Sequence, residues 1–172
     1  MAYATVRIEC LSSSGEVSTG SGYFFKFKVN NETNQHIPVV ITNKHVVLNS
    51  IKGKLIFTTL EGENPADKKH FEFYIDNFET LWRKHPDNDV DLCAMPIAPF
   101  LRASEAQNII LYYTALDFSL IPNEEQLKTL SAIEEIIMIG YPNGIWDAIN
   151  NKPIFRKGIT ATHPCFDYNG KK

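Results

Sequence analysis

Short runs of strand-forming residues, each cut off by a turn signal, constrain this chain more than any other feature. Ile (18), Thr (11), Val (8) and the aromatic residues (20) together fill 57 of the 172 positions. β-Branched and aromatic side chains fit a pleated, half-buried surface. Their clustering predicts strands near residues 4–11, 22–29, 37–42, 54–59, 71–76, 78–83, 90–96, 133–140 and 154–162. Turn chemistry separates them: Ser12-Ser13-Ser14-Gly15, Asn30-Asn31, Gly62-Glu63-Asn64-Pro65 and His85-Pro86-Asp87-Asn88. Many short strands at this spacing predict an all-β fold, an antiparallel sandwich or barrel.

Residues 99–132 break the pattern. Ser104-Glu105-Ala106-Gln107 reads as the capped start of a short helix. Pro122-Asn123-Glu124-Glu125-Gln126-Leu127 reads as another, with Asn123 as N-cap and carboxylates in the first turn. The stretch is therefore a connector between two strand-rich blocks. No internal repeat, low-complexity run or phosphate-binding loop is present. Gly20-Ser21-Gly22 lacks the lysine and the following helix that such a loop needs.

Composition narrows the class further. The chain is 44% hydrophobic with a net charge of −3, too apolar and too weakly charged for intrinsic disorder. Its length suits one ordinary domain or two small ones. No run approaches the roughly 18 apolar residues that span a bilayer. Twenty acidic against 17 basic residues argue against a nucleic-acid binder. The first nine residues alternate polar and apolar with no apolar h-region, so they predict a strand, not a signal peptide, and the expected compartment is the cytoplasm. Cys10, Cys93 and Cys165 are widely spaced and odd in number, which predicts buried free thiols rather than a disulfide framework or a zinc site. No metal-ligand spacing is found.

Among five histidines, His36, His70 and His85 sit in polar turns, and His163 precedes Pro164. His45 differs. It follows Ile37-Pro38-Val39-Val40-Ile41-Thr42 and precedes Val46-Val47, which predicts an imidazole at the end of a buried strand, packed on both sides. It is either a functional residue or a satisfied structural histidine. In Asp89-Val90-Asp91-Leu92-Cys93-Ala94-Met95 a carboxylate enters an apolar strand. Asp89 belongs to the turn. Asp91, one step deeper, needs a donor or a positive charge, because ionised carboxylates are not buried alone. Backbone N–H groups would serve, and so would a histidine on a neighbouring strand end. Trp82-Arg83-Lys84-His85 reads as a solvated turn and Trp146-Asp147 as part of a surface loop. Lys152, Arg156, Lys157, Lys171 and Lys172 make the end modestly basic.

These segments together resemble the chymotrypsin/trypsin-like serine peptidases, above all the bacterial trypsin-like peptidase domains. The resemblance is carried by Gly20-Ser21-Gly22-Tyr23-Phe24-Phe25 and Val40-Ile41-Thr42-Asn43-Lys44-His45-Val46-Val47. It continues in Val90-Asp91-Leu92-Cys93-Ala94-Met95, Ile137-Met138-Ile139-Gly140-Tyr141-Pro142 and Lys157-Gly158-Ile159-Thr160-Ala161, all in the family's order. It implies two antiparallel β-barrels with the site in the cleft between them. Residues 1–98 would form a complete first barrel, 99–132 the connector and 133–172 the start of a second. His45 would be the general base and Asp91 its orienter. The substrate would be a peptide or protein, with no cofactor, nucleic acid or membrane involved.

One departure stands out. The family's nucleophile lies in a G-x-S-G loop after the segment matched by Lys157–Ala161, yet no serine follows Ser131 here. Cys165 has no flanking glycines for an oxyanion turn, and Thr160 and Thr162 alternate along one strand face. The expectation is the N-terminal portion of a serine endopeptidase whose serine lies beyond this chain, with further domains C-terminal to it. The alternative is a non-catalytic binding or scaffolding module.

Overall fold

A computed structural model describes residues 1–30, 32–33 and 35–166. Asn31 of the expected Asn30-Asn31 turn, and Lys171 and Lys172 of the basic end, lie outside the described residues. Among the described residues ten strands form two antiparallel sheets. The larger has eight strands: β1 (Thr5–Ser12), β2 (Val17–Asn30), β3 (Gln35–Thr42), β4 (Ser50–Glu61), β5 (Asn64–Asp76), β6 (Arg83–Lys84), β7 (Cys93–Pro96) and β8 (Leu111–Tyr112). Its order is β5-β4-β1-β2-β3-β7-β6, with β8 added to β4. The smaller sheet pairs β9 (Glu135–Gly140) with β10 (Ile154–Ile159).

Alternation along β1 explains the core. Val6, Ile8 and Cys10 point inward and are buried, while Arg7 and Glu9 point to the other face. On β4, Leu55 and Phe57 fill the same interior. Ile75 of β5 and Met95 of β7 belong to that one apolar cluster although they sit toward opposite ends of the strand order. The sheet is therefore rolled around its apolar face. Among the described residues its outer strands are not joined by ladder hydrogen bonds, so it is a large open sheet and not a closed barrel.

The expected strand at 78–83 is a single 3-10 turn, Phe78–Leu81, followed by the two-residue β6. Asn77 takes the left-handed conformation (φ 53°) and reverses the chain, and its carbonyl accepts from both the N–H and the hydroxyl of Thr80. That turn aims Phe78 and Trp82 into the core, their rings edge-to-face at 5.6 Å. Trp82 is thus buried, not part of a solvated turn. Gly53 makes room for Phe78, since a Cβ there would stand 2.2 Å from its ring.

The connector holds α2 (Ala98–Glu105) and α3 (Glu124–Lys128), preceded in the chain by a one-turn helix, α1 (Lys44–Val47). Ser104 does not start a helix. It lies in the last turn of α2, where its hydroxyl donates to the Leu101 carbonyl; the start is set by Pro99 in the first turn, where a missing N–H costs nothing. Asn123 caps α3 as expected, its side chain accepting from the Gln126 N–H while the Gln126 side chain accepts from the Asn123 N–H.

Residues 141–152 lie on the outer face of the large sheet. Tyr141 is buried, and its N–H donates to Ser21 Oγ at 2.7 Å. Arg7 reaches the Gly144 carbonyl at 3.1 Å and lies 4.7 Å over the Trp146 ring. Lys152 pairs with Asp67 at 2.7 Å and covers the Tyr3 ring.

Candidate functional site

Strand register builds the site. Thr42, the last residue of β3, sits directly opposite Cys93, the first residue of β7. The chain leaving β3 and the chain entering β7 therefore run side by side at one end of the sheet. His45 lies three residues past Thr42 and Asp91 two before Cys93, and they meet there.

Asp91 grips His45 twice. One carboxylate oxygen lies 2.5 Å from the ring Nδ1, and the other accepts the His45 backbone N–H at 3.1 Å. α1 has only one turn and Asn43 makes no side-chain cap bond, so the distant carboxylate satisfies an N–H at the helix start. The hydrogen bond from the His45 ring is the main cause that holds the Asp91 carboxyl below its ordinary range, with backbone N–H groups of His45 and Lys44 adding to it.

Two further side chains lock the segments together. Asn43 donates to the Asp91 carbonyl at 2.8 Å, and the Lys44 ammonium to the Asp87 carbonyl at 2.8 Å. Sequence reasoning missed both. The available signal was the polar pair Asn43-Lys44 set between an apolar strand and His45, facing a turn rich in carbonyls. Behind the histidine, Val46 presses on β2 at Gly20, where a Cβ would stand 2.3 Å from the valine methyl. The Ser21 carbonyl accepts the buried Thr42 hydroxyl at 2.8 Å. The Gly20-Ser21-Gly22 segment thus supports the histidine segment on one side and residue 141 on the other.

The surroundings of the pair differ from expectation. The His45 side chain is 71% exposed and that of Asp91 46% exposed. His45 lies in α1 just past the buried strand, not within its end, and Asp91 precedes the strand instead of entering it. The physical reason is the mutual bonding: Asp91 finds its donors at the sheet rim and has no need of burial.

No family model matches this chain, and no curated protein matches it.

The other candidates are accounted for locally. Burial pushes the Cys10 and Cys93 thiols up to about 11, which keeps them protonated and poor nucleophiles. The Cys165 N–H donates to His163 Nδ1. The Thr160 hydroxyl donates to the Ala132 carbonyl and accepts from the Glu134 N–H. The His85 ring accepts from Asp87 within its turn. Among the described residues no group of three or more His, Cys, Asp or Glu is placed to hold a metal ion, and no helix is long and apolar enough to cross a membrane.

Proposed function

We propose that this chain carries the general-base half of a trypsin-like serine endopeptidase, with His45 as base and Asp91 as its orienter. The observation that carries the reading is the double hydrogen bond from one carboxylate to the ring and the backbone of the same histidine. Such a carboxylate fixes the Nδ1–H tautomer and stabilises the imidazolium that forms in turnover. Nε2 is then the nitrogen that takes a proton from an attacking hydroxyl and returns it to the leaving amine as the peptide bond breaks. Water repeats the cycle on the acyl-enzyme ester.

In this reading the large open sheet corresponds to the first of two antiparallel barrels, and the β9–β10 hairpin to the opening strands of a second. No serine follows Ser131, so in this reading the nucleophile is supplied by polypeptide outside the 172 residues. The substrate is a peptide or protein. A non-catalytic trypsin-fold module is the second reading, and the exposure of both dyad side chains is the observation that favours it. Acid–base dyads work best where water is excluded.

Fluorophosphonate labelling decides between them. The native gene product, captured by an antibody raised against this chain, is expected to label on serine, whereas the purified 172-residue chain is not. Asp91→Asn in the labelling protein is expected to slow turnover about ten-thousandfold. Absence of labelling in the native product would establish the non-catalytic module. Labelling at an undiminished rate in His45→Ala would remove His45 from the mechanism.

A further inference from the structure

The β3–β7 ladder ends one rung short of Asp91, and its register shows which bond is missing. The Pro38 carbonyl accepts the Ile97 N–H at 3.0 Å, and the pairs then run from Val39 opposite Pro96 to Thr42 opposite Cys93. Hydrogen-bonded pairs alternate along an antiparallel ladder, so the bonding at Pro38 and Ile97 recurs at Val40 with Met95 and at Thr42 with Cys93. The next bonded pair would be Lys44 with Asp91, the Lys44 N–H donating to the Asp91 carbonyl. The chain turns away first. Asn43 is still extended (φ −79°, ψ 146°), but Lys44 opens α1. The Lys44 N–H goes instead to the Asp91 carboxylate, beside that of His45.

The Asp91 carbonyl is satisfied all the same. Asn43 Nδ2 donates to it at 2.8 Å, in the place that the Lys44 N–H would have taken. One side-chain amide thus supplies the missing rung, and two backbone N–H groups are released to the carboxylate. The exchange matters because the Asp91 side chain is 46% exposed and precedes β7, where packing does not hold it. Lys44 grips the same turn at its other end, its ammonium donating to the Asp87 carbonyl at 2.8 Å.

We propose that Asn43 is the positioning residue of the His45–Asp91 pair. Its amide replaces the ladder bond at the sheet rim and sets the stretch of backbone from which the Asp91 carboxylate reaches both the ring and the N–H of His45. An orienting carboxylate fixes which ring nitrogen carries the proton. Asn43 therefore governs how much of the neutral imidazole keeps its proton on Nδ1, with Nε2 open to accept one. This role rests on taking His45 and Asp91 as the working pair, and it holds whether or not that pair cleaves peptides.

NMR of the 172-residue chain tests it, with ring carbon and nitrogen shifts reporting the His45 tautomer and carboxyl shifts reporting Asp91. The neutral ring is expected mainly as the Nδ1–H form. Asn43→Ala should make the doubly bonded arrangement about fivefold less favoured. The ring then moves toward the tautomer mixture of free imidazole, and Asp91 titrates closer to the ordinary carboxylate range. Asn43→Asp keeps the side-chain size but lacks the donor, and should shift the tautomer in the same direction. Lys44→Ala loses a bond of equal length to the same turn but keeps the Lys44 N–H, and should leave both signals in place. Unchanged β3 and β7 amide shifts in the three variants confirm that the sheet rim is still folded. A ring that keeps its tautomer in Asn43→Ala, or that moves as far in Lys44→Ala, would overturn the proposal. Absence of fluorophosphonate labelling in the native product would remove the peptidase reading and leave these outcomes untouched.

Discussion

The eight-stranded sheet and the β9–β10 hairpin are built from the same residue types, yet they meet opposite fates. In the sheet, Val6, Ile8, Leu55, Phe57 and Met95 are buried, because the roll brings strands from both ends of the order onto one interior. In the hairpin, Ile137, Met138, Phe155 and Ile159 stay more than half exposed. Local pattern decides that a segment forms a strand. Burial depends on a second layer that the strand cannot supply for itself, and an isolated two-stranded hairpin is marginal in water. The hairpin is held instead where its connecting loop, residues 141–152, touches the sheet through Ser21, Arg7 and Asp67.

That contrast predicts a graded set of mutational effects. Phe78→Ala should cost about 3–5 kcal/mol, since the ring is fully buried and a cavity would remain in the core. Urea denaturation measures it, and a cost below that of an exposed site would mean that the roll is looser than described. Gly53→Ala should cost about 1–3 kcal/mol, because the new methyl would overlap the Phe78 ring. In the Phe78→Ala background that penalty should vanish, which a double-mutant cycle would show.

Ser21→Ala removes the acceptor for the Tyr141 N–H and should cost about 1 kcal/mol. The loss should fall on the hairpin: amide exchange there should quicken several-fold with β1–β4 unchanged. Uniform exchange across both regions would instead make them one cooperative unit. A smaller effect is expected in acid. Ser119 O–H and N–H groups, with the Lys26 ammonium, hold the Asp117 carboxyl down to about 2 from its ordinary 3.8. A lowered folded value means that the contribution is present above the ordinary range. It is lost as pH falls from about 4 through about 2. Carboxyl NMR should show Asp117 titrating last, with the connector turn loosening in step. Phe155→Ala should change stability by no more than about 0.5 kcal/mol, since the ring is 54% exposed.

The strand pattern was legible for most of the fold. β1, β3, β4, β9 and β10 lie within a few residues of where period-two alternation and turn residues put them. The turn at Phe78 was not legible, because Phe78 and Trp82 are equally good strand formers, and only the left-handed Asn77 selects a helical turn. Asp91 was recognised by a carboxylate in an apolar run and His45 by the apolar run before it. Their exposure was not foreseen, because the side-chain pattern implied depth while the ladder ends before either residue.

Strand content, the capped helix at Asn123 and the selection of His45 and Asp91 followed from the sequence alone, since each depends on neighbours within a few positions. Only the tertiary structure decided that these two residues meet. Their contact depends on Thr42 standing opposite Cys93, a register between residues 51 positions apart in the chain. It is set by how the whole apolar face rolls, and no local window contains that information.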